Sequence, residues 1–551
     1  NLKKRKGKDF LKSSESLKVN DLVVHIEHGL GKYLGLEKIK TLGVEREYLS
    51  LEYSGEDKLL LPIENIELLS RYGQEQGVLD KLGSMAWQSR KARLKKRIFE
   101  MAESLIKVAA ERKMTKCISY TRPDFLWEDF CARFPYEETD DQLTAISDVL
   151  DDLKSGRPMD RLICGDVGFG KTEVAIRAAF VVASAGKQVV IVTPTTLLCR
   201  QHFKNFQLRF TGLPFKIDQL SRLVKARDSS ETLRRISKGT TDIIIGTHAL
   251  LSERIKFSDL GLVIIDEEQH FGVNHKERLK KLKSSLHVLT LTATPIPRTL
   301  QLALSGAREL SIISSPPADR YAIRTYVSHF DALTVKDALM REYFRGGQSF
   351  FVVPRISDID FILDFLKENL SQLKVCVVHG KMKSRALDDA MSAFYDREFD
   401  ILVATSIIES GLDIPSVNTL IVYRAEMFGL AQLYQIRGRI GRSTTRAYAY
   451  LLTDEKKTLT IQAEKRLQAL SNIHSLGAGF ALASQDLDIR GAGNLLGDEQ
   501  SGQIKEVGYE LYQQMLEEAV KRIRDGGTSN TILYDDAWSP EINLNVTVLI
   551  P

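Results

Sequence analysis

A glycine-rich stretch, "GDVGFGKT", runs from Gly165 to Thr172 and directly follows the apolar run "RLIC". The helix-forming run "EVAIRAAFVVA" comes next, so the stretch joins a predicted strand to a predicted helix. Its glycines allow backbone amides to curl round phosphate oxygens, and a helix N-terminus also favours anions. A chance match is the alternative, but strand and helix argue against it. The pattern predicts a nucleotide loop formed by Gly165, Asp166, Val167, Gly168, Phe169, Gly170, Lys171 and Thr172.

Two carboxylates, Asp266 and Glu267, end the apolar run in "LVIIDEEQH". A carboxylate at a buried strand end is costly unless it meets a cation or a proton. We expect Lys171 to hold the β and γ phosphates of ATP and Thr172 to bind Mg²⁺. Asp266 is then a suitable further ligand of Mg²⁺. Glu267 can then orient and deprotonate the attacking water. Without the loop upstream, the two acids would be interpreted as turn formers.

The segment "QIRGRIGRS" places Gln435, Arg439 and Arg442 near a glycine-marked turn. Arginines from a second domain stabilise charge on a transferring phosphoryl group only when two domains close. We therefore predict that these three residues are catalytic and that ATP acts as a clamp. The alternative is that the arginines are surface residues, which their regular spacing among glycines disfavours.

The 551 residues are 43% hydrophobic and 27% charged, a composition typical of a soluble protein with several domains. No apolar run approaches the length of a membrane helix, and the basic start lacks the apolar stretch of a signal peptide. The sequence thus predicts a cytoplasmic protein without membrane contact. Because it lacks an initiator methionine and ends within a strand-like run, we expect it to be a fragment of a longer protein.

Positive charge is concentrated in two stretches, although the net charge is only +5. Residues 1–12 hold six Lys/Arg against one acid, and residues 84–116 hold ten against three. A nucleic-acid groove must therefore be a local arrangement of donors rather than a global positive field. Both stretches could equally be a solvated tail and a solvated helix face.

Patterning along the chain predicts a multidomain α/β protein. Residues 19–69 alternate as short strands of a small barrel, and a helical linker follows. Two sets of short β-branched runs with intervening helices then indicate two parallel-sheet domains, joined near Pro316 and Pro317. The predicted divisions are residues 1–74 (barrel), 75–133 (linker), 134–315 and 316–455 (parallel-sheet domains), 456–525 (helical hairpin) and 526–551 (start of a truncated domain).

The order of further motifs resembles that of superfamily 2 helicases and translocases, whose motor domains are RecA-like. The shared motifs are "TPTTLL" (193–198), "GTHALL" (246–251), "TATPIPRT" (292–299), "VVHGKM" (377–382) and "VATSIIESGLDIPSVNTLI" (403–421). By this resemblance, Gln142 lies where the family contacts adenine. Four residues lie where such motors hold the sugar-phosphate backbone, namely Thr195, Thr247, Arg298 and Thr405.

"DEEQHFGV" and "DLDIRGAGNLLG" narrow the resemblance to the branch shared by RecG-type helicases and transcription-repair coupling factors. The front of the chain resembles the SH3-like or Tudor-like RNA-polymerase-interacting domain of the coupling factors rather than a RecG-type wedge. That resemblance implies contact with the polymerase β subunit. We predict that "EYLSLEY" is an exposed edge strand whose Leu49 and Leu51 bind polymerase. Tyr434 departs from the family pattern, which usually has histidine there.

Residues 486–500, "DLDIRGAGNLLGDEQ", separate two predicted helices and resemble the loop of the RecG-type translocation motif. Its glycines allow close approach to phosphates, while Arg490 and Gln500 supply donors that can follow domain closure. We therefore predict that Arg490 and Gln500 couple closure to movement on DNA. The alternative is a glycine-rich connector in which Arg490 makes a structural salt bridge.

The resemblance implies an ATP-dependent double-stranded DNA translocase that pushes or displaces stalled RNA polymerase in transcription-coupled repair. Two other functions stay open: a RecG-like fork-remodelling helicase, and a non-hydrolysing, ATP-gated regulator that binds polymerase. The N-terminal module with which the family recruits repair proteins is absent from this sequence. We therefore do not expect repair recruitment by this fragment.

Overall fold

The computed structural model describes most of the chain in two compact units. The first unit contains the described residues up to Val108 and one helix near the C-terminus, and the second contains the described residues from Ala109 onward to Ser471. The described residues are 17, 19–41, 44–72, 78–222, 224, 226–252, 255–268, 271, 286–293, 308–317, 321–409, 414–441, 445–454, 459–471 and 509–524.

The first unit is built on a five-stranded antiparallel sheet with strand order β4-β3-β2-β1-β5. A long helix, α1 (Met85–Met114), begins beside it, and the buried Trp87 indole donates a 3.2 Å hydrogen bond to the Ile26 carbonyl. The sheet confirms the predicted small β-domain at the front of the chain. Its strands are β1 (Leu22–His25), β2 (Gly29–Thr41), β3 (Val44–Glu52), β4 (Lys58–Pro62) and β5 (Leu69–Arg71).

The prediction that "EYLSLEY" forms an exposed edge was wrong. Residues 47–52 of this run belong to β3, which pairs with β2 on one side and β4 on the other. Leu49 is 2% exposed and Leu51 is 0% exposed, so both leucines are core residues of the sheet. Alternating apolar residues mark a half-buried strand but do not tell whether it is central or at an edge. Replacing either leucine with arginine would therefore disturb the fold of the β-domain, so such a variant would test folding rather than polymerase binding.

The second unit begins with two helices, α2 (Asp124–Ala132) and α3 (Asp140–Lys154), followed by a seven-stranded parallel sheet. The sheet order is β12-β6-β11-β10-β7-β9-β8. Helices α4 (Lys171–Ser184), α5 (Thr196–Arg209) and α6 (Ala226–Lys238) alternate with strands. The strands are β6 (Asp160–Gly165), β7 (Gln188–Thr193), β8 (Ile217–Leu220), β9 (Ile243–Thr247), β10 (Leu260–Asp266), β11 (His287–Thr292) and β12 (Glu309–Ile313).

A second parallel sheet follows in the same unit, with order β13-β18-β17-β14-β16-β15. Its helices are α7 (Ala332–Phe344), α8 (Ser357–Asn369), α9 (Ser384–Tyr395), α10 (Leu430–Arg437) and α11 (Ile461–Ser471). Its strands are β13 (Arg324–His329), β14 (Gln348–Val352), β15 (Val375–Val378), β16 (Ile401–Ala404), β17 (Val417–Val422) and β18 (Tyr448–Thr453).

Complete burial explains why both parallel sheets are recognisable from the sequence. Every position is buried in β6, β7, β9 and β11 of the first sheet and in β14, β16 and β17 of the second, as expected when helices cover both faces of a sheet. These two sheets confirm the predicted pair of RecA-like domains. The exact domain boundaries stay predictions.

Of the predicted helical hairpin, the structure describes part of each helix. Helix α11 packs beside β13 of the second sheet, and α12 (Tyr509–Arg524) packs beside β5 in the first unit. The loop of residues 486–500, with Arg490 and Gln500, lies outside the described residues. Within the part of the chain that is described, no helix is long and apolar enough to cross a membrane.

A single carboxylate fixes the segment that leaves the first parallel sheet. One oxygen of Asp141, in the first turn of α3, accepts hydrogen bonds from the backbone amides and hydroxyls of Ser314 and Ser315, at 2.7–2.9 Å. The Ser314 hydroxyl contributes most, and together these bonds lower the pKa of Asp141 to about 2. The predicted junction between the two sheets is therefore tied to the first of them.

Candidate nucleotide site

The loop between β6 and α4 has the backbone that the glycine pattern predicts. Gly168 and Gly170 have φ of +83° and +78°, values that side chains disfavour. A Cβ on Gly170 would also lie 2.4 Å from the Gln142 side-chain nitrogen. Glycine is therefore required at position 170 by both conformation and space.

Lys171 begins α4 and points back into the loop. Its Nζ donates to the carbonyls of Gly165 and Asp166, at 2.6 and 2.8 Å. Burial lowers the pKa of Lys171, whereas the nearby carboxylates of Glu267 and Asp266 oppose that change. A half-buried ammonium held by neutral carbonyls, at a helix N-terminus, is a chemical environment that suits a phosphate group.

Gln142, predicted to contact adenine, holds the loop instead of lying free. The residue is 4% exposed, and its side-chain nitrogen donates 2.9 Å to the Phe169 carbonyl. Its side-chain oxygen completes a capping box with Thr139 at the start of α3. Gln142 thus fixes α3 to the nucleotide loop, and its contact with adenine stays a prediction.

Asp266 and Glu267 lie at the end of β10, as predicted. An oxygen of Asp266 is 2.9 Å from Nε2 of His202 on α5, a partner that sequence reasoning did not identify. Glu267 is 6% exposed and has a left-handed backbone with φ of +52°. The Ala293 amide donates to its carboxylate at 3.3 Å. Strained backbone at a buried acid is typical of functional sites, where surrounding contacts maintain it.

The helix that carries the nucleotide loop is held by a buried ion-pair network. Glu173 accepts from Arg177 at 3.0 Å and from Arg209 of α5 at 2.7 Å. Arg177 also pairs with Glu138, just before α3, and Arg209 lies 4.6 Å from the centre of the Phe130 ring. This network joins α3, α4 and α5 around the loop. No motif in the sequence indicated it.

The second sheet meets the nucleotide loop through α10. The Tyr434 hydroxyl donates to the Asp166 carboxylate, and Gly438 lies beside Val167. Tyr434 also lies 5.0 Å from the guanidinium of Arg437, which donates 3.2 Å to the Leu470 carbonyl near the end of α11. A continuous set of contacts therefore runs from the nucleotide loop to α11.

The predicted catalytic residues of this second motif are partly described. Gln435 lies in the last turn of α10, and Arg439 follows that helix and is 4% exposed. Arg442 lies outside the described residues, as does Arg298. The structure thus brings the motif to the nucleotide loop, and the contacts of Gln435, Arg439 and Arg442 with phosphate stay predictions.

The predicted DNA contacts that are described follow strands of the two parallel sheets. Thr195 caps α5, accepting from the Leu198 amide at 3.2 Å, and Thr247 ends β9. Thr405 directly follows β16. Thr247 and Thr405 are buried. Carboxyl ends of parallel strands carry ligand-binding loops, so the placement agrees with the expected role, which stays a prediction.

Comparisons with known proteins assign domains to the same regions. Residues 139–303 match the DEAD/DEAH box helicase model, residues 334–444 the helicase conserved C-terminal domain, and residues 17–73 the CarD-like/TRCF RID domain. The structure is similar to that of RecG bound to a three-way DNA junction, with a TM-score of 0.66 over 91% of this chain and 79% of RecG. At 24% identity, this likeness concerns the fold.

Two curated relatives match nearly the whole chain. The transcription-repair-coupling factor of Rickettsia prowazekii (strain Madrid E) is 50% identical over 99% of this chain and 49% of its own length. That of Escherichia coli (strain K12) is 45% identical over 98% of this chain and 47% of its own length. The chain thus spans about half the length of the curated relatives that it matches.

Proposed function

Because this chain belongs to the transcription-repair-coupling factor family, we propose that it is an ATP-driven double-stranded DNA translocase that pushes or displaces stalled RNA polymerase. The observation that carries this proposal is the contact between Tyr434 and Asp166, which joins the second parallel-sheet domain to the nucleotide loop. A motor needs such a contact because it must turn a change at the nucleotide into movement of one domain against the other.

The site suits ATP and Mg²⁺, given its cradle of left-handed glycines and its half-buried lysine. Lys171 would hold the β and γ phosphates, and Thr172 with Asp266 would hold Mg²⁺. When bound, ATP would supply the phosphoryl group and Mg²⁺ would neutralise charge on it. Glu267 takes the proton from the attacking water at its carboxylate, which the Ala293 amide keeps in place.

Domain closure would add the second group of catalytic residues. Gln435 and Arg439 flank the end of α10, the helix that reaches the nucleotide loop through Tyr434. We propose that both act on the phosphates together with Arg442. Hydrolysis then requires closure, because these groups belong to the opposite domain from Glu267.

DNA would lie along the carboxyl ends of both parallel sheets. Thr195, Thr247 and Thr405 are found there, and we propose that Arg298 belongs to the same surface. Contacts from hydroxyl groups and one arginine to sugar and phosphate position a duplex without reading its sequence. This agrees with a translocase that must move over any sequence.

We propose that the loop of residues 486–500 couples closure to movement. Support comes from the contacts that connect Asp166, Tyr434 and Arg437 with Leu470, because α11 ends directly before the segment that leads to this loop. Arg490→Ala and Gln500→Ala should leave ATP hydrolysis largely intact. Both variants should lose translocation, measured as displacement of the third strand from a DNA triplex, and should also fail to release polymerase. Normal translocation by both variants would refute the assignment, whereas joint loss of hydrolysis and thermal stability would favour a structural connector.

Polymerase binding is proposed for the β-domain of residues 17–73, by its match to the CarD-like/TRCF RID model, with the β subunit as the partner. Strand β4 now replaces β3 as the candidate edge, because it ends the sheet order while α12 packs beside β5 at the other end. An edge strand offers unpaired backbone groups to a partner strand. Leu60 of β4 is 40% exposed, which makes it accessible to such a partner.

Leu60→Asp should therefore weaken capture of purified RNA polymerase while DNA-stimulated ATPase activity stays at the parent level. Leu36→Asp is the matched control, since Leu36 is 53% exposed on β2, an interior strand of the same sheet. Binding is measured by titrating immobilised polymerase. Equal losses in both variants would assign binding to a surface other than the β4 edge.

A steady-state ATPase assay with and without double-stranded DNA tests the proposed function. We expect hydrolysis that DNA stimulates, which a non-hydrolysing, ATP-gated regulator would not give. Polymerase capture separates the proposal from a RecG-like fork-remodelling helicase, for which the similar RecG fold is the supporting observation. No hydrolysis under any condition would refute the translocase.

A further inference from the structure

Arg308 directly precedes β12 and is a buried arginine, 5% exposed, that no sequence motif singled out. Among the residues that the structure describes, its guanidinium contacts three side chains. Nε lies 2.9 Å from Asp160, Nη1 lies 3.2 Å from Glu268, and Nη2 donates to the Thr290 hydroxyl. One planar group thus joins residues that are far apart in the sequence.

The three partners lie in, or just after, the three neighbouring strands that carry the catalytic loops. Asp160 begins β6, which leads into the nucleotide loop, and Thr290 lies in β11, which leads to Ala293. Glu268 follows Asp266 and Glu267 at the end of β10. Asp160 is at the amino end of β6, Thr290 is within β11 and Glu268 is just past the carboxyl end of β10, so the link joins three neighbouring strands. Because the catalytic loops follow the carboxyl ends of these strands, fixing the strands also fixes the relative positions of the loops.

The turn at Glu267 depends on such links. Its left-handed backbone is held on one side by the hydrogen bond from its amide to the Leu291 carbonyl, at 3.0 Å. On the other side, Arg308 donates a hydrogen bond to Glu268, the residue that follows Glu267. A strained conformation persists only where its surroundings determine it from several directions. Release of Glu268 would let the turn relax and move the Glu267 carboxylate.

We propose that Arg308 is a positioning residue for ATP hydrolysis, which holds Glu267 in place through Glu268 while tying the turn to β6 and β11. This rests on the proposed ATPase function. Burial opposes the charged form of Arg308, but Asp160 and Glu268 more than compensate and raise its pKa. Lysine could not replace it, because an ammonium lacks the planar fork that reaches three partners at fixed angles.

Glu268→Ala is the first test, because it frees the turn and leaves Arg308 paired with Asp160. We expect kcat for DNA-stimulated ATP hydrolysis to fall by about 10- to 100-fold, since small displacements of catalytic groups have effects of this size. KM for ATP should stay near the parent value, because Lys171 and the nucleotide loop are unchanged. Glu268→Gln should recover most of the lost kcat, since its amide oxygen can still accept from Arg308.

Asp218→Ala is the matched control for an ordinary, half-buried ion pair. Asp218 accepts from Arg235 at 2.7 and 3.0 Å on β8, at the opposite end of the same sheet. Its loss should lower the melting temperature without changing kcat. If Glu268→Ala behaves in the same way, with parental kcat, Arg308 is merely structural and the proposal is wrong.

Arg308→Lys keeps the test decisive should Glu268→Ala fail to fold. It preserves the positive charge beside Asp160 and loses the fork, so kcat should fall while KM for ATP and the folded fraction are kept. Parental kcat in this variant would overturn the proposal. A parent protein without ATPase activity would instead refute the proposed function, so the two failures are distinguishable.

Discussion

Glu267→Gln is expected to slow DNA-stimulated ATP hydrolysis by about 100- to 10,000-fold, the usual contribution of a general base, while ATP still binds. The amide keeps the size of the side chain and loses the ability to take a proton. Lys171, Thr172 and the glycines of the nucleotide loop are unchanged, so nucleotide affinity should be retained. The same variant should hold DNA in the presence of ATP without releasing it.

The two halves of this prediction are measured separately. Single-turnover hydrolysis gives the rate, and titration with a fluorescent ATP analogue gives the affinity. Hydrolysis at the parent rate would remove Glu267 from the mechanism. Loss of affinity together with rate would show that the substitution disturbed the turn, whose left-handed backbone at Glu267 is sensitive to its surroundings.

Lys171→Ala should abolish turnover, with a fall of at least about 100-fold, because it removes a preorganised charge from the transferring phosphoryl group. Unlike Glu267→Gln, it should also weaken ATP binding. The structure adds a second reason: the Lys171 ammonium donates to two carbonyls of the loop, so its loss leaves those acceptors without that partner.

Lys187→Ala is a suitable control for Lys171→Ala. Lys187 lies just before β7 in the same domain, and its ion pair with Asp259 is away from the nucleotide loop. Surface pairs of this kind contribute little to stability. ATP affinity should therefore be unchanged in Lys187→Ala, and a similar loss in both variants would assign the effect to general destabilisation rather than to phosphate contact.

Local patterns in the sequence predicted the elements that position the site. The β6 strand, the loop and helix α4 follow from an apolar run, a glycine pattern and a helix-forming run that are adjacent in the chain. The carboxylates at the end of β10 follow in the same way. Complete burial makes such strands continuous apolar runs, which is why both parallel sheets were predictable.

Contacts between distant residues could not be predicted in this way. Tyr434 and Asp166 are separated by 268 positions in the sequence, and Arg308 contacts Asp160 although most of the first parallel-sheet domain lies between them in the sequence. Only the fold brings such residues together, and the spacing of residues along the chain does not predict these contacts. Tyr434 did carry one signal, its departure from the histidine of the family pattern, and that position proved to contact the nucleotide loop.

The error at β3 has a different physical origin. Apolar alternation in "EYLSLEY" correctly predicted a strand with one buried face, but strand order depends on which neighbours pair with it. Leu49 and Leu51 therefore proved to be core residues, while the exposed Leu60 lies on the strand that ends the sheet. Exposure of a leucine cannot be inferred from its own strand alone.

Displacement of RNA polymerase stalled on DNA tests the central claim most directly. The protein is added to stalled complexes with ATP, with a non-hydrolysable ATP analogue, or without nucleotide, and released polymerase is counted over time. The proposed translocase should release polymerase with ATP only, and Glu267→Gln should release none. Equal release with the analogue, or none with ATP despite DNA-stimulated hydrolysis and polymerase binding, would contradict an ATP-driven push.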